Sequence, residues 1–236
     1  MRNYFTFGSI DSRDYGVYIS GSGVFNAPRR IREEIEIPGR NGNLFIDTHT
    51  FENIEVTYPA FICNNFKQNL EDFRSALLAT KGYQWLQDTY NPNEKRQGCF
   101  TESIEVKPTT RIDAGEFDIT FNCKPQRFLT SGFETIEVSD GDTVANNTPF
   151  RCYPIITVTG YGTIDIISGS SKYITVANAF DFVTIDTETY YCDSDGDNAN
   201  DVVTFSDEIF MRPGTTYFSF PNTVTKLEIV PRWYKL

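Results

Sequence analysis

Most of the chain alternates apolar and polar residues with a period of two. Ile54, Val56 and Tyr58 share one parity, with Glu55 and Thr57 on the other; Phe117, Ile119, Phe121 and Cys123 alternate with Asp118, Thr120 and Asn122. Successive side chains of a strand point to opposite faces, so each run predicts a strand with one buried and one wet face. Ile31, Ile35 and Ile37 share a parity in the same way, up to Pro38, which ends a further strand.

One segment departs from this rhythm. From Phe66 to Lys81 the apolar set Phe66, Leu70, Phe73, Leu77 and Leu78 recurs at helical spacing. Asn64 or Asn65 is placed to cap the start, Glu71 and Asp72 fall early, and Lys81-Gly82 closes the end. A single amphipathic helix among strands must lay its stripe on a sheet, which makes this half α+β. Beyond Pro125-Gln126-Arg127-Phe128 the texture changes to short strands punctuated by Gly, Asn, Asp and Pro: 155–159, 163–167, 173–176, 182–186, 217–220 and 226–230. Gly21-Ser22-Gly23 and Gly160-Tyr161-Gly162 read as turns; neither opens a helix, so neither is a phosphate loop. The second half predicts a β-sandwich. The fold class is therefore mainly β, with two domains, 1–130 and 131–236.

Composition supports this picture. Of 236 residues, 15% are aromatic, with 20 Phe and 13 Tyr, types that suit pleated half-buried surfaces. No apolar run approaches the roughly 20 residues of a membrane span, and Met1-Arg2-Asn3-Tyr4-Phe5 lacks a signal peptide's apolar stretch, so the expectation is a soluble protein assembled in the cytosol. The five cysteines, Cys63, Cys99, Cys123, Cys152 and Cys192, form no CxxC pair, and reduced thiols are expected. The net charge is −11, unevenly spread: residues 1–130 hold 15 basic and 17 acidic side chains, residues 131–236 hold 6 and 15. A cation-poor chain is a poor phosphate binder, which argues against dedicated nucleic-acid binding.

Candidate chemistry is sparse. His49 is the only histidine, with no nucleophile to pair with from sequence, and a surface or interface role is expected. Zinc spacing is absent, and no cofactor is implied. Asp193, Asp195 and Asp197 stand at alternating positions, with Asp201 beyond, as oxygen ligands of a calcium loop would. However, Asn198 replaces the loop glycine and Thr204 the closing glutamate, so the alternatives are a weak calcium site and a solvated acidic loop. Gly39, Arg40, Asn41 and Gly42 follow Pro38 as a tight reversal. A plain turn accounts for the glycines and asparagine; the alternative is an inter-subunit hairpin in which Arg40 pairs with a neighbouring copy.

Taken in order, these segments resemble the distal tail protein family of siphophages. The carriers are Phe7-Gly8-Ser9-Ile10-Asp11-Ser12, Asp14-Tyr15-Gly16-Val17, Ile37-Pro38-Gly39-Arg40-Asn41-Gly42, the helix with Lys81-Gly82-Tyr83, and Phe121 to Phe128. In the second half they are Asn147-Thr148, Pro154-Ile155-Ile156, Ile185-Asp186-Thr187-Glu188, Arg212-Pro213-Gly214 and Leu227 to Trp233. The loop 193–201 has no counterpart. The resemblance implies an N-terminal tail-tube-like β-sandwich or split barrel with one helix, and a C-terminal galectin-like β-sandwich. It further implies a structural virion protein, not an enzyme: a hexameric ring, in some cases stacked, in the distal tail hub. That ring would contact the tail tube protein, the tape measure protein and the tail tip or baseplate protein, with DNA passing through its lumen without specific binding and no membrane contact. Such a protein assembles in the host bacterial cytoplasm and ends in the virion tail. For a tube-type barrel, sheet edges are expected to continue from copy to copy. Carboxylates facing a lumen would let DNA slide; a solvated acidic surface is the plainer reading.

Two other functions are open to such a sequence. The C-terminal sandwich could be a carbohydrate-binding host-adhesion module, with Tyr190, Tyr191 and Trp233 available for stacking, although Trp233 suits packing better. A wall hydrolase would need paired carboxylates in a cleft, which no local pattern marks.

Overall fold

The computed structural model describes residues 2–21, 26–101, 104, 106–107 and 113–236. They form two compact units, Met1–Arg127 with Leu236, and Phe128–Lys235. No helix among the described residues is long and apolar enough to cross a membrane.

The first unit carries β1 (Phe5–Phe7), β2 (Ile10–Asp11), β3 (Val17–Ile19), β4 (Arg30–Ile35), β5 (Leu44–Phe51), β6 (Ile54–Ile62), α1 (Phe66–Ala79), β7 (Gln84–Asp88), β8 (Glu94–Cys99), β9 (Val106–Lys107) and β10 (Gly115–Leu129). The main sheet runs β2-β1-β7-β8-β10-β6-β3. At its centre β6 and β10 pair in the register their alternation requires, Tyr58 opposite Ile119 and Val56 opposite Phe121, so that both apolar sets face one side. The sheet curls into a half-barrel. Asn3 bridges Ile19, whose N–H donates to the Asn3 carbonyl at 2.9 Å. β2 and β3 stand at the two ends of the strand order, and this bridge joins the N-terminal segment to β3. The core of the half-barrel is aromatic: Phe5 stacks on Tyr58 at 5.6 Å and meets Phe121 edge-on at 5.5 Å.

α1 lays Leu70, Phe73 and Leu77 on this core. Its start differs from the expected cap. Asn65 is left-handed (φ +50) and makes no side-chain cap, because capping needs an extended residue whose side chain points back along the first turn. Asn69 Nδ2 instead donates to the Asn64 carbonyl at 3.0 Å. The helix is anchored by Phe66, whose ring lies where a Cβ on Gly115 would come within 2.3 Å. It ends at Thr80, whose hydroxyl donates to the Ala76 carbonyl, before Lys81-Gly82.

The second unit carries β11 (Ile136–Val138), β12 (Thr143–Asn146), β13 (Ile155–Ile167), β14 (Ser171–Asp186), β15 (Tyr191–Ser194), β16 (Asp197–Asn198), β17 (Val203–Phe205), β18 (Gly214–Ser219), β19 (Val224–Val230) and β20 (Tyr234–Lys235). Two long strands serve both layers of a sandwich. The first half of β13 pairs with β19 and the end of β14; its second half pairs with β18 and the start of β14. The segments expected as separate strands, 155–159 and 163–167, are thus one strand. Gly160 and Gly162 are a bulge within it, not a turn. Gly160 holds φ +102, and a Cβ there would stand 2.2 Å from the Thr223 carbonyl oxygen. Bulges of this kind let a strand switch sheets at a corner. Ile156, Val158, Ile164, Ile174, Ile185 and Phe218 fill the space between the layers.

Candidate functional site

β4 and β5 form a two-stranded sheet of their own. Ile35 lies opposite Leu44, Glu33 opposite Ile46, Glu34 opposite Phe45 and Arg32 opposite Asp47. Side-chain alternation therefore gathers Ile31, Ile35, Leu44 and Ile46 on one face, with Glu33 as the charged residue among them. The opposite face carries Arg30, Arg32, Glu34, Phe45 and Asp47. Neither face is covered: Leu44 is 48% exposed, Phe45 55% and Ile46 43%. A lone two-stranded ribbon is marginal in water, and a row of half-bare branched side chains adds to that deficit.

Polar contacts hold the base of this arm. Arg30 pairs with Asp47 at 2.6 Å and stacks over Phe51 at 4.7 Å. A register shift sets Thr48-His49-Thr50 outside the ladder, with His49 left-handed at φ +57. The His49 N–H donates to Asp47 Oδ1 at 2.8 Å. That bond first, and the Arg30 guanidinium second, hold the Asp47 carboxyl below its usual range. His49 is thus a surface residue of the arm.

At the tip, Gly39 (φ +80) and Gly42 (φ +85) supply the left-handed positions, and the Arg40 N–H donates to the Ile37 carbonyl at 3.2 Å. The Arg40 side chain is exposed, with no described partner. The turn chemistry of Gly39, Arg40, Asn41 and Gly42 was legible in sequence. The arm's apolar content was not: Leu44-Phe45-Ile46, a short apolar run just after the turn, was the signal for it.

The acidic segment takes a different form from a metal loop. β15 and β16 pair as a hairpin, Asp193 opposite Asn198 and Ser194 opposite Asp197. Asp195 (φ +52) and Gly196 (φ +89) are its two-residue turn, the left-handed pair that Asp-Gly favours. Asp193 Oδ2 accepts the Gly196 N–H at 3.3 Å. A hairpin spreads alternate side chains where a cation loop would converge them. Asp193, Asp195, Asp197 and Asp201 accordingly form no metal-holding group, and none exists among the described residues. Of the stacking candidates, Trp233 packs against the core of the second unit, while Tyr190, edge-on to Phe205 at 5.2 Å, and Tyr191 stay exposed.

Residues 10–123, from β2 into β10, match the family described as the phage tail protein RIFT-related domain. Over its whole length the chain shares its fold with solved phage proteins. It is similar to Dit of phage SPP1, described as a paradigm of the hub adsorption apparatus in Gram-positive infecting phages, at 14% identity, 97% coverage of both chains and a TM-score of 0.74. It is also similar to a chain of the phage p2 baseplate in its activated conformation with Sr, at 10% identity, covering 96% of this chain and 97% of that one, with a TM-score of 0.54. No curated protein sequence matches it.

Proposed function

We propose that this chain is a structural subunit of a phage tail hub, a ring of six identical copies joined through the β4–β5 arm. The ring meets the tail tube and tape measure on one side and the tip or baseplate on the other, and leaves a central passage for DNA. It is built into the virion after assembly in the host cytoplasm and carries no catalytic role. The observation that carries this reading is the arm: a unit of the tail RIFT family presents an amphipathic ribbon with its apolar face bare, and large bare apolar surfaces on a folded chain mark association sites. The arm and its exposed Gly39–Gly42 tip are placed to reach a neighbour. An interface that closes on itself by rotation yields a ring. Negative-stain microscopy and light scattering of the purified chain test this: rings are expected, and a persistent monomer at high concentration would overturn it.

A second reading, carbohydrate binding by residues 131–236, is favoured by one observation. Tyr173, Ile167 and Tyr217 are 38–44% exposed. β13, β14 and β18 set them on one outer face around Asp165, with Thr163 and Thr175 alongside, a platform suited to sugar stacking. A glycan array probed with the chain and with Tyr173→Ala discriminates: binding lost in the variant supports this reading, and no binding removes it.

A further inference from the structure

The most exposed large apolar side chain among those described is Leu78, at 67%. It does not stand alone. Phe66, Leu70 and Leu78 line a furrow along one flank of α1, with Lys67, Glu71 and Arg74 beside them. The first unit therefore presents the bare arm face and, on α1, a furrow floored by Leu70 and Phe66 with Leu78 exposed at one end.

We infer that the apolar face of the β4–β5 arm seats along the α1 flank of a neighbouring copy. This rests on the ring reading and specifies its contact. The dimensions agree. From Ile31 to Ile35 the arm stripe spans about 13 Å at ~3.3 Å per residue, and from Phe66 to Leu78 the furrow spans about 18 Å at 1.5 Å per residue. Charge agrees as well. Glu33 is the charged residue of the arm's apolar face, whereas the flank offers Lys67 and Arg74 against Glu71 alone. Arm-to-arm packing would bring together two faces that each carry Glu33 and no cation, burying carboxylates unpaired. An arm of one copy seated on the helix of the next joins two different surfaces, a heterologous contact of the kind that closes into rings.

The test uses the full chain with a benzoylphenylalanine photo-crosslinker in place of Ile35, irradiated in a mixture of isotopically light and heavy copies. The expected result is light–heavy peptides joining position 35 to residues 66–78. Oligomers whose crosslinks map elsewhere, or that form none, would overturn the seat and leave the ring standing. A monomer in light scattering, with no crosslink between copies, would overturn both. As a second measurement, Leu78→Asp changes an exposed position and is expected to retain the far-UV spectrum of the parent. It should lower the assembled fraction by about tenfold at fixed concentration, as loss of an apolar anchor residue does; unchanged assembly would overturn the seat.

Discussion

Arg232 grips Asp186 with two nitrogens, at 2.7 and 3.2 Å, while its own backbone sits in the left-handed region at φ +56. Its Nε also donates to the Tyr153 carbonyl, and its backbone N–H donates to the Gly132 carbonyl at 2.7 Å. The side chain is 11% exposed. A strained backbone persists where its surroundings over-determine it, and here a buried planar fork does so. Arg232→Ala leaves Asp186 without its main partner and should destabilise the second unit by roughly 3 kcal/mol. Arg232→Lys retains charge but loses the fork, and should cost about half as much. Chemical denaturation followed by fluorescence of the adjacent Trp233 measures both; wild-type midpoints would contradict the assignment.

The same pair sets a pH dependence. Burial raises the Asp186 pKa, but the Arg232 hydrogen bonds and the Glu188 N–H outweigh it, and the carboxyl ends below its usual value. A depressed folded pKa contributes stability that is present above the unfolded value of about 3.9 and is lost as pH falls through the folded one. Stability should therefore drop on the acid side of about pH 4, and Asp186→Asn should flatten that limb. Parallel acid titrations of parent and variant that superimpose would refute this.

Two glycines are irreplaceable for separate reasons. Gly160→Ala forces a left-handed alanine onto the Thr223 carbonyl and should cost about 3 kcal/mol or more in the second unit. Gly115→Ala keeps an allowed backbone but drives Phe66 off the sheet, which should loosen α1 at a cost of roughly 2 kcal/mol. Thermal melts of each variant, with hydrogen exchange across residues 66–79 for the second, separate the two effects.

The arm should behave in the opposite manner. Leu44→Asn with Ile46→Asn alters exposed side chains, so the isolated subunit should keep its stability within about 0.5 kcal/mol while losing assembly. A melting temperature and a sedimentation profile on one sample suffice; assembly that survives would remove the arm from the interface.

Thiol reactivity should divide the cysteines. Burial pushes the Cys123 and Cys152 thiols up to about 12 and Cys192 up to about 11. Because the thiolate is the reactive form, these three should resist alkylation at about pH 8 in the folded chain. The half-buried Cys63 and Cys99 should label first, as peptide mass spectrometry would reveal.

What could be read along the chain was whatever depends on neighbours in sequence. The strands of Ile54–Tyr58 and Phe117–Cys123, the helix from Phe66, and the glycine turn at 39–42 all follow from side-chain periodicity and backbone sterics, which act within a few residues. What depended on distant partners could not be read there. Gly160-Tyr161-Gly162 looks locally like a turn, and becomes a bulge because Thr223 lies against it. Asp193 to Asp201 reads locally as an acidic loop, and forms a hairpin in which Asn198 pairs with Asp193 across the ladder. The sheet curls so that Asn3 meets Ile19, and the β4–β5 face is left bare because no described layer of its own unit covers it. Pairing register and burial are long-range choices among competing contacts, so the three-dimensional packing settled them.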